Sequence, residues 1–169
     1  MALILPDWYK GPEFLNVEDV FHDFFQPLLP EVRVVHWLEP GWYVPKGFVD
    51  VVPTNGTEPT LRLWRQPGQR DDETTTDAPL LQFAAVTRSH DDSWKLLEFV
   101  HSMMKALNDG HKITMLDGQR VGVKNVRFWL GPQLIPEAPV DEYFIPVTYS
   151  FTISGLKLQP NYRQILDTL

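Results

Sequence analysis

The chain contains no cysteine among its 169 residues. Disulfides, thiolate zinc sites and thiol nucleophiles are therefore excluded. Lysine and arginine form no run, and the formal net charge is -7. A surface built to grip phosphate along a nucleic acid is not expected from that balance, which repels nucleic acid at close range. His22, His36, His90, His101 and His111 lack the helical i, i+4 spacing of a metal-binding pair. No phosphate loop ending in Gly-Lys-Ser/Thr occurs, and Gly118, Gly122 and Gly131 make no dinucleotide fingerprint. The opening MALILPDWYK is broken by Pro6 and Asp7, so neither a signal peptide nor a membrane span is expected there. The expectation is a soluble chain made in a cytoplasm, with no catalytic residue, cofactor or metal.

What is abundant is apolar and aromatic. Hydrophobic residues make up 43% and aromatics 12% of the chain, enough for a folded core in one domain. That domain spans 1–169, with 1–14 as an N-terminal arm and 156–169 as a tail of little pattern. A first helix is expected over 17–29. Asn16 is its N-cap, Glu18 and Asp19 suit the positive end of its dipole, and Val17, Val20, Phe21, Phe24, Phe25 and Leu28 form its apolar stripe. Pro30 stops it. Val32 to Leu38 reads as a strand. Prolines and glycines then punctuate 40–59 as irregular chain, with a short β-prone stretch at Phe48 to Val52.

The central stretch runs from Leu61 to Leu107. Leu61, Arg62, Leu63 and Trp64 form a strand, and Leu80 to Thr87 form another. Between them, Gln66 to Pro79 reads as a long polar loop, too long for a hairpin turn and too charged to be buried. Loops of that length are commonly functional or disordered. Its Arg70 stands against Asp71, Asp72, Glu73 and Asp77, a formal -3. The loop lines a channel, docks onto a partner, or is a solvated turn.

A helix follows from Asp92 to Asn108, with Leu96, Val100, Met103, Met104 and Leu107 on its core side and Gly110 as a stop. His101 is expected to be a packed or partly exposed structural residue. Ser89-His90-Asp91 spells a triad in letters only; consecutive side chains diverge, and helix capping accounts for them better. Lys112 to Leu116 and Gln119 to Val123 flank Asp117-Gly118, a pair suited to a type I′ hairpin. Val126 to Leu130 continues as a further β segment. The last strand alternates Tyr143, Ile145, Val147, Tyr149, Phe151 and Ile153 against a mostly polar set, and Pro146 places that part at an edge or a bulge.

The fold class is therefore α+β: a mixed or antiparallel sheet with one main helix packed on it, a second N-terminal helix, and a long loop between central strands. Two helices cannot hide six tryptophans and every sheet edge, and uncovered edges and apolar patches invite another chain. Trp42, Tyr43 and Phe48 on their loop, and Tyr143, Ile145 and Tyr149 on the last strand, are the candidate subunit or partner contacts, the last strand through β-augmentation.

The element order, with LRLWR, QPGQRDDETTTDAP, LLQFAAVT, WKLLEFVHSMMKAL and DEYFIPVTYSFTI in succession, resembles the tail terminator proteins of long-tailed, siphovirus-type bacteriophages, those of actinobacteria in particular. The resemblance covers roughly residues 15–158 and carries no catalytic signature. It implies a hexameric ring at the head–tail junction of the virion, assembled in the host cytoplasm. Its partners are other copies of the chain, the tail tube protein and the head–tail connector or stopper. DNA passes through the channel without specific binding, and no membrane is involved. A neighbouring reading is another neck component, a stopper or completion protein. From other classes come a metal-dependent hydrolase using Asp71, Asp72 and Glu73, and a carbohydrate-binding module built on Trp42 and Trp64.

Overall fold

A computed structural model describes residues 5–9, 11, 14–36, 59–71, 76–87, 89–108, 111–132, 144–154 and 162–167. Among them are α1 (Val17–Leu28), β1 (Arg33–Val35), β2 (Thr60–Asp71), β3 (Thr76–Val86), α2 (His90–Asn108), β4 (Lys112–Thr114), β5 (Arg120–Leu130), β6 (Phe144–Ser154) and α3 (Tyr162–Leu166). The expected segment 40–59, with its short β stretch at Phe48 to Val52, lies outside the described residues except at Pro59.

Both long helices begin on side-chain caps. Asn16 has extended backbone, and its Oδ1 accepts the amide of Glu18 at 3.1 Å. At α2, Ser89 Oγ accepts the amide of Asp92 at 3.1 Å and donates to the Asp92 carboxylate at 2.8 Å. That hydrogen bond and Lys95 hold the Asp92 carboxyl below its ordinary range, against a smaller opposing effect of burial. The letters Ser-His-Asp are thus a helix cap. Gln26 ties the end of α1 to β1: its Nε2 donates to the carbonyls of Leu29 and Val32, and its Oε1 accepts the amide of Val34 at 3.0 Å.

The six strands lie in the order β1-β2-β3-β6-β5-β4, with β1 and β2 parallel and every other pair antiparallel. The sheet curls into a half-barrel. One face is apolar. Leu61, Leu63, Leu81, Phe83, Ala85, Val121, Val123, Val147, Phe151 and Ile153 form a single core with Val20, Phe21 and Phe25 of α1 and Leu96, Val100, Met104 and Leu107 of α2. Phe21 is its hub, with ring centroids 4.9 Å from Phe151 and 5.8 Å from Phe83. Each such fully buried side chain contributes roughly 1.5–3 kcal/mol.

Four expectations change in detail. The segment 66–79 is mostly strand, because β2 and β3 pair from Thr60↔Val86 out to Asp71↔Thr76. The expected long loop is therefore largely paired strand, and residues 72–75 lie outside the described residues. Second, β6 is an interior strand between β3 and β6's other neighbour, β5. Pro146 is tolerated there because β5 ends opposite Thr148, which leaves Pro146 paired on the β3 side alone. Third, the hairpin at Asp117-Gly118 is not type I′. Gly118 alone has positive φ, at 85°, and its amide donates to Met115 O at 2.9 Å. This is a three-residue loop with glycine in the left-handed position. Fourth, Gln119 to Val123 and Val126 to Leu130 are one strand, β5, joined through a register shift at Asn125, whose φ is 54°.

A second register shift lies in β2 between Gln66 and Gln69, where Pro67 and Gly68 face Pro79. A Cβ on Gly68 would sit 2.6 Å from the carbonyl oxygen of Ala78 and 2.7 Å from Cα of Pro79. Both are backbone atoms that cannot turn aside. Gly68→Ala is expected to cost about 1–3 kcal/mol in urea unfolding, the range for forced overpacking. Gly122→Ala, whose Cβ meets nothing within 4 Å, is expected to stay within about 0.5 kcal/mol of the parent.

Candidate assembly surface

The hairpin places the acidic residues unequally. Asp77 is fully buried and grips Arg65 with both carboxylate oxygens, at 2.7 and 2.8 Å. It is therefore removed from the exposed acidic set, which corrects its expected place in a charged loop. Arg70 and Asp71 end β2, and Asp72 and Glu73 lie outside the described residues. Beside the ion pair, the amide of Arg65 donates to Glu18 Oε1 at 2.7 Å. Here β2 needs such a partner, since β1 pairs only with Thr60 to Arg62. A carboxylate from the first turn of α1 thus satisfies an edge amide that no described strand reaches. On the opposite face Gln66 donates to Gln82 across the hairpin, and the Arg62 guanidinium stacks 4.4 Å from the Trp64 ring.

The other margin of the sheet is β5. β4 pairs only with Arg120 to Gly122, so from Val123 to Leu130 no described strand lies beside β5 on that side. Asn108, the last residue of α2, accepts the Val126 amide through Oδ1 at 3.0 Å. Beyond it the strand is exposed: Phe128 is 50%, Trp129 63% and Leu130 42% accessible, and Trp94 on α2 is 44% accessible. Trp94 and Phe128 share a pocket of about 270 Å³ with Leu97, His101, Val147 and Tyr149. Trp94, Phe128, Trp129 and Leu130 are among the exposed large apolar residues of the described chain, and they gather at this margin.

Pairing also assigns charge to a face. Arg127 pairs with Ser150 and Lys124 with Thr152, on the face opposite the core, and Lys112 and Arg120 project to that same face through their pairs with Gly122 and Thr114. All four cations are exposed. Segment 111–130 holds one acid, Asp117, against them, a formal +3 within a chain of -7. Next to this row, a groove of about 730 Å³ is lined by Arg127, Trp129, Asn125, Ser150 and Thr152 on one side and Gln69 and Leu80 of the hairpin on the other.

The expected contact residues fare differently. Trp42, Tyr43, Phe48 and Tyr143 lie outside the described residues. Ile145 and Tyr149 are buried in the chain's own core, and β6 has β3 on one side and, as far as Thr148, β5 on the other. Tyr149 Oη lies 2.9 Å from Nδ1 of His101, whose ring stands edge-on to Phe128 at 5.6 Å. His101 thus has the structural part expected of it. The exposed β5 residues and the cation row were not foreseen. The signal was present as three aromatic and aliphatic residues in succession, Phe128-Trp129-Leu130, which strict alternation cannot place on one buried face.

Among the described residues, no group of three or more His, Asp or Glu is placed to hold a metal ion, and no helix is long and apolar enough to cross a membrane. An α+β sheet with two helices on one face and an exposed aromatic margin is the framework on which the family comparison rests. Residues 13–160 match the family model described as phage tail termination protein, and the chain belongs to that family. It is a structural component of the phage tail, located in the virion, where it associates with other tail components. No curated protein matches the chain.

Two outcomes follow from this geometry. Arg65→Leu strands the buried Asp77 carboxylate and is expected to cost about 3 kcal/mol, the low end for broken buried pairs because Arg65 is partly exposed. The double variant Arg65→Leu/Asp77→Leu is expected to recover most of it in a double-mutant unfolding cycle. Burial, and secondarily the Glu98 charge, push the Tyr149 phenol well above its ordinary range. The unfolded chain therefore loses this proton first, near pH ~10. The Tyr149 contribution is complete below that pH and is lost progressively above it. Stability measured by urea unfolding should fall more steeply above pH ~10 in the parent than in Tyr149→Phe.

Proposed function

We propose that copies of this chain close into a ring, sixfold, that caps the finished tail tube. The ring ends tube polymerisation and presents its other side to the head–tail connector or stopper, leaving a channel for DNA. The observation that carries this reading is the uncovered apolar margin formed by Trp94, Phe128, Trp129 and Leu130. Clustered exposed aromatics of this kind mark protein contact sites. Among the described residues the sheet also has two different unpaired margins, β2 beyond Arg62 and β5 beyond Gly122. Two unlike margins on one subunit suit head-to-tail contacts, which close into rings when the rotation permits.

The ring performs no chemistry in this reading. Its work is shape: a surface that fits the last tube ring but does not repeat it, so growth stops. The overall charge of -7 keeps a passing duplex from adhering to the channel wall. Family membership supports the tail role, and the exposed margin supports self-association.

Electron micrographs and light scattering of the purified chain test this. Annuli with six copies are expected at micromolar concentration, and tails made with a Trp129→Glu variant should grow past their normal length. A chain that stays monomeric at every concentration, and single in assembled tails, contradicts the reading.

A further inference from the structure

The cation row on β5 lies on the face opposite the helices and ends at Trp129, beside a groove whose walls combine polar donors with apolar side chains. Arg127, Asn125, Ser150, Thr152 and Gln69 can all donate to carboxylates, and Trp129 and Leu80 supply the apolar contact. Lys124 and Arg120 extend the positive row along the same strand. Among the described residues, no acidic side chain lines the groove. A groove of this chemistry selects an acidic peptide segment.

We propose that its occupant is the closing turn of the β2–β3 hairpin of a second copy of this chain. Asp71-Asp72-Glu73 is the one run of three consecutive acids in the sequence. Asp71 is the last residue of β2, paired with Thr76, and Asp72 and Glu73 follow it in the sequence. The charge of this run complements the +3 of segment 111–130, and the match of an acidic turn to a basic face on the same chain makes a head-to-tail contact. The exposed Trp129 and Leu130 give that contact an apolar part beside its charged rim. This inference rests on the ring reading and names the surfaces that join adjacent copies. A duplex nucleic acid is the less suited occupant, because a groove about 730 Å³ in volume with Trp129 and Leu80 in its walls fits side chains.

Two charge reversals test it. Lys124→Glu/Arg127→Glu makes the groove acidic, and Asp71→Lys/Asp72→Lys/Glu73→Lys makes the turn basic. Each variant then repels itself, and neither is expected to form rings where the parent does, although each keeps the parent's circular dichroism. In an equimolar mixture every turn meets an opposite groove, so alternating rings should form, with a 1:1 composition by native mass spectrometry. Parent rings should also dissociate as sodium chloride rises from 0.05 to about 1 M, because screening at that concentration shortens the Debye length to about 3 Å.

The proposal is overturned if either variant alone assembles like the parent, or if the mixture stays monomeric with both variants folded. It is also overturned if the groove variant loses binding to a 30-base-pair duplex while still forming rings. A parent chain that forms no ring overturns the ring reading itself, which separates the two failures.

Discussion

The sheet has a single greasy face, and two helices lie on it. Phe21 of α1 reaches Phe83 and Phe151, while Leu96, Val100 and Met104 of α2 complete the same core. This packing consumes both long helices. Nothing comparable among the described residues lies on the margins, where one side chain from each helix does the remaining work. Glu18 from the start of α1 takes the Arg65 amide, and Asn108 from the end of α2 takes the Val126 amide. Each helix thus anchors the core along its length and pins one sheet edge with its tip. Beyond those points no described strand pairs with either edge, and unpaired edges are where another chain can add.

Register shifts decide what those edges display. In β2, Pro67-Gly68 bends the hairpin, and Asp77 stays on the core side where Arg65 can reach it. In β5, the left-handed Asn125 resets the alternation. Before it, Val121 and Val123 face the core; after it, Arg127 and Trp129 line the outer groove and Phe128 leans on His101 and Tyr149. A second shift between Phe128 and Leu130 follows at once. An unbroken strand would have kept one face apolar and the other polar. The bulged one carries cations and aromatics outward at the sheet's margin, where an assembly protein needs them.

This explains how far the sequence could be read. Periodicity with capping was sufficient for α1 and α2, because Asn16 and Ser89 sit where a cap must sit and the apolar stripes run at helical spacing. Alternation was sufficient for β6. The hairpin was missed because its charged residues resemble a loop: nothing in the sequence announces that Asp77 meets Arg65 across a bulge, a pairing fixed only in three dimensions. Pro146 signals an edge or a bulge, and β5 does end before reaching it, although β6 as a whole lies between β3 and β5. The contacts expected of Ile145 and Tyr149 followed from strand length, and within the subunit both are buried. The tail role was legible as a resemblance of element order, and the family match over 13–160 bears it out.

Hydrogen exchange across β5 tests the central claim most directly, that this margin is completed by another copy. The amides of Val123 to Leu130 should exchange quickly in the dissociated chain, apart from Val126 and those bonded to β6, and slow by at least tenfold in the assembled particle. The interior amides of β3 should be equally protected in both. If the β5 margin exchanges at the same rate before and after assembly, the contact lies elsewhere and the account fails.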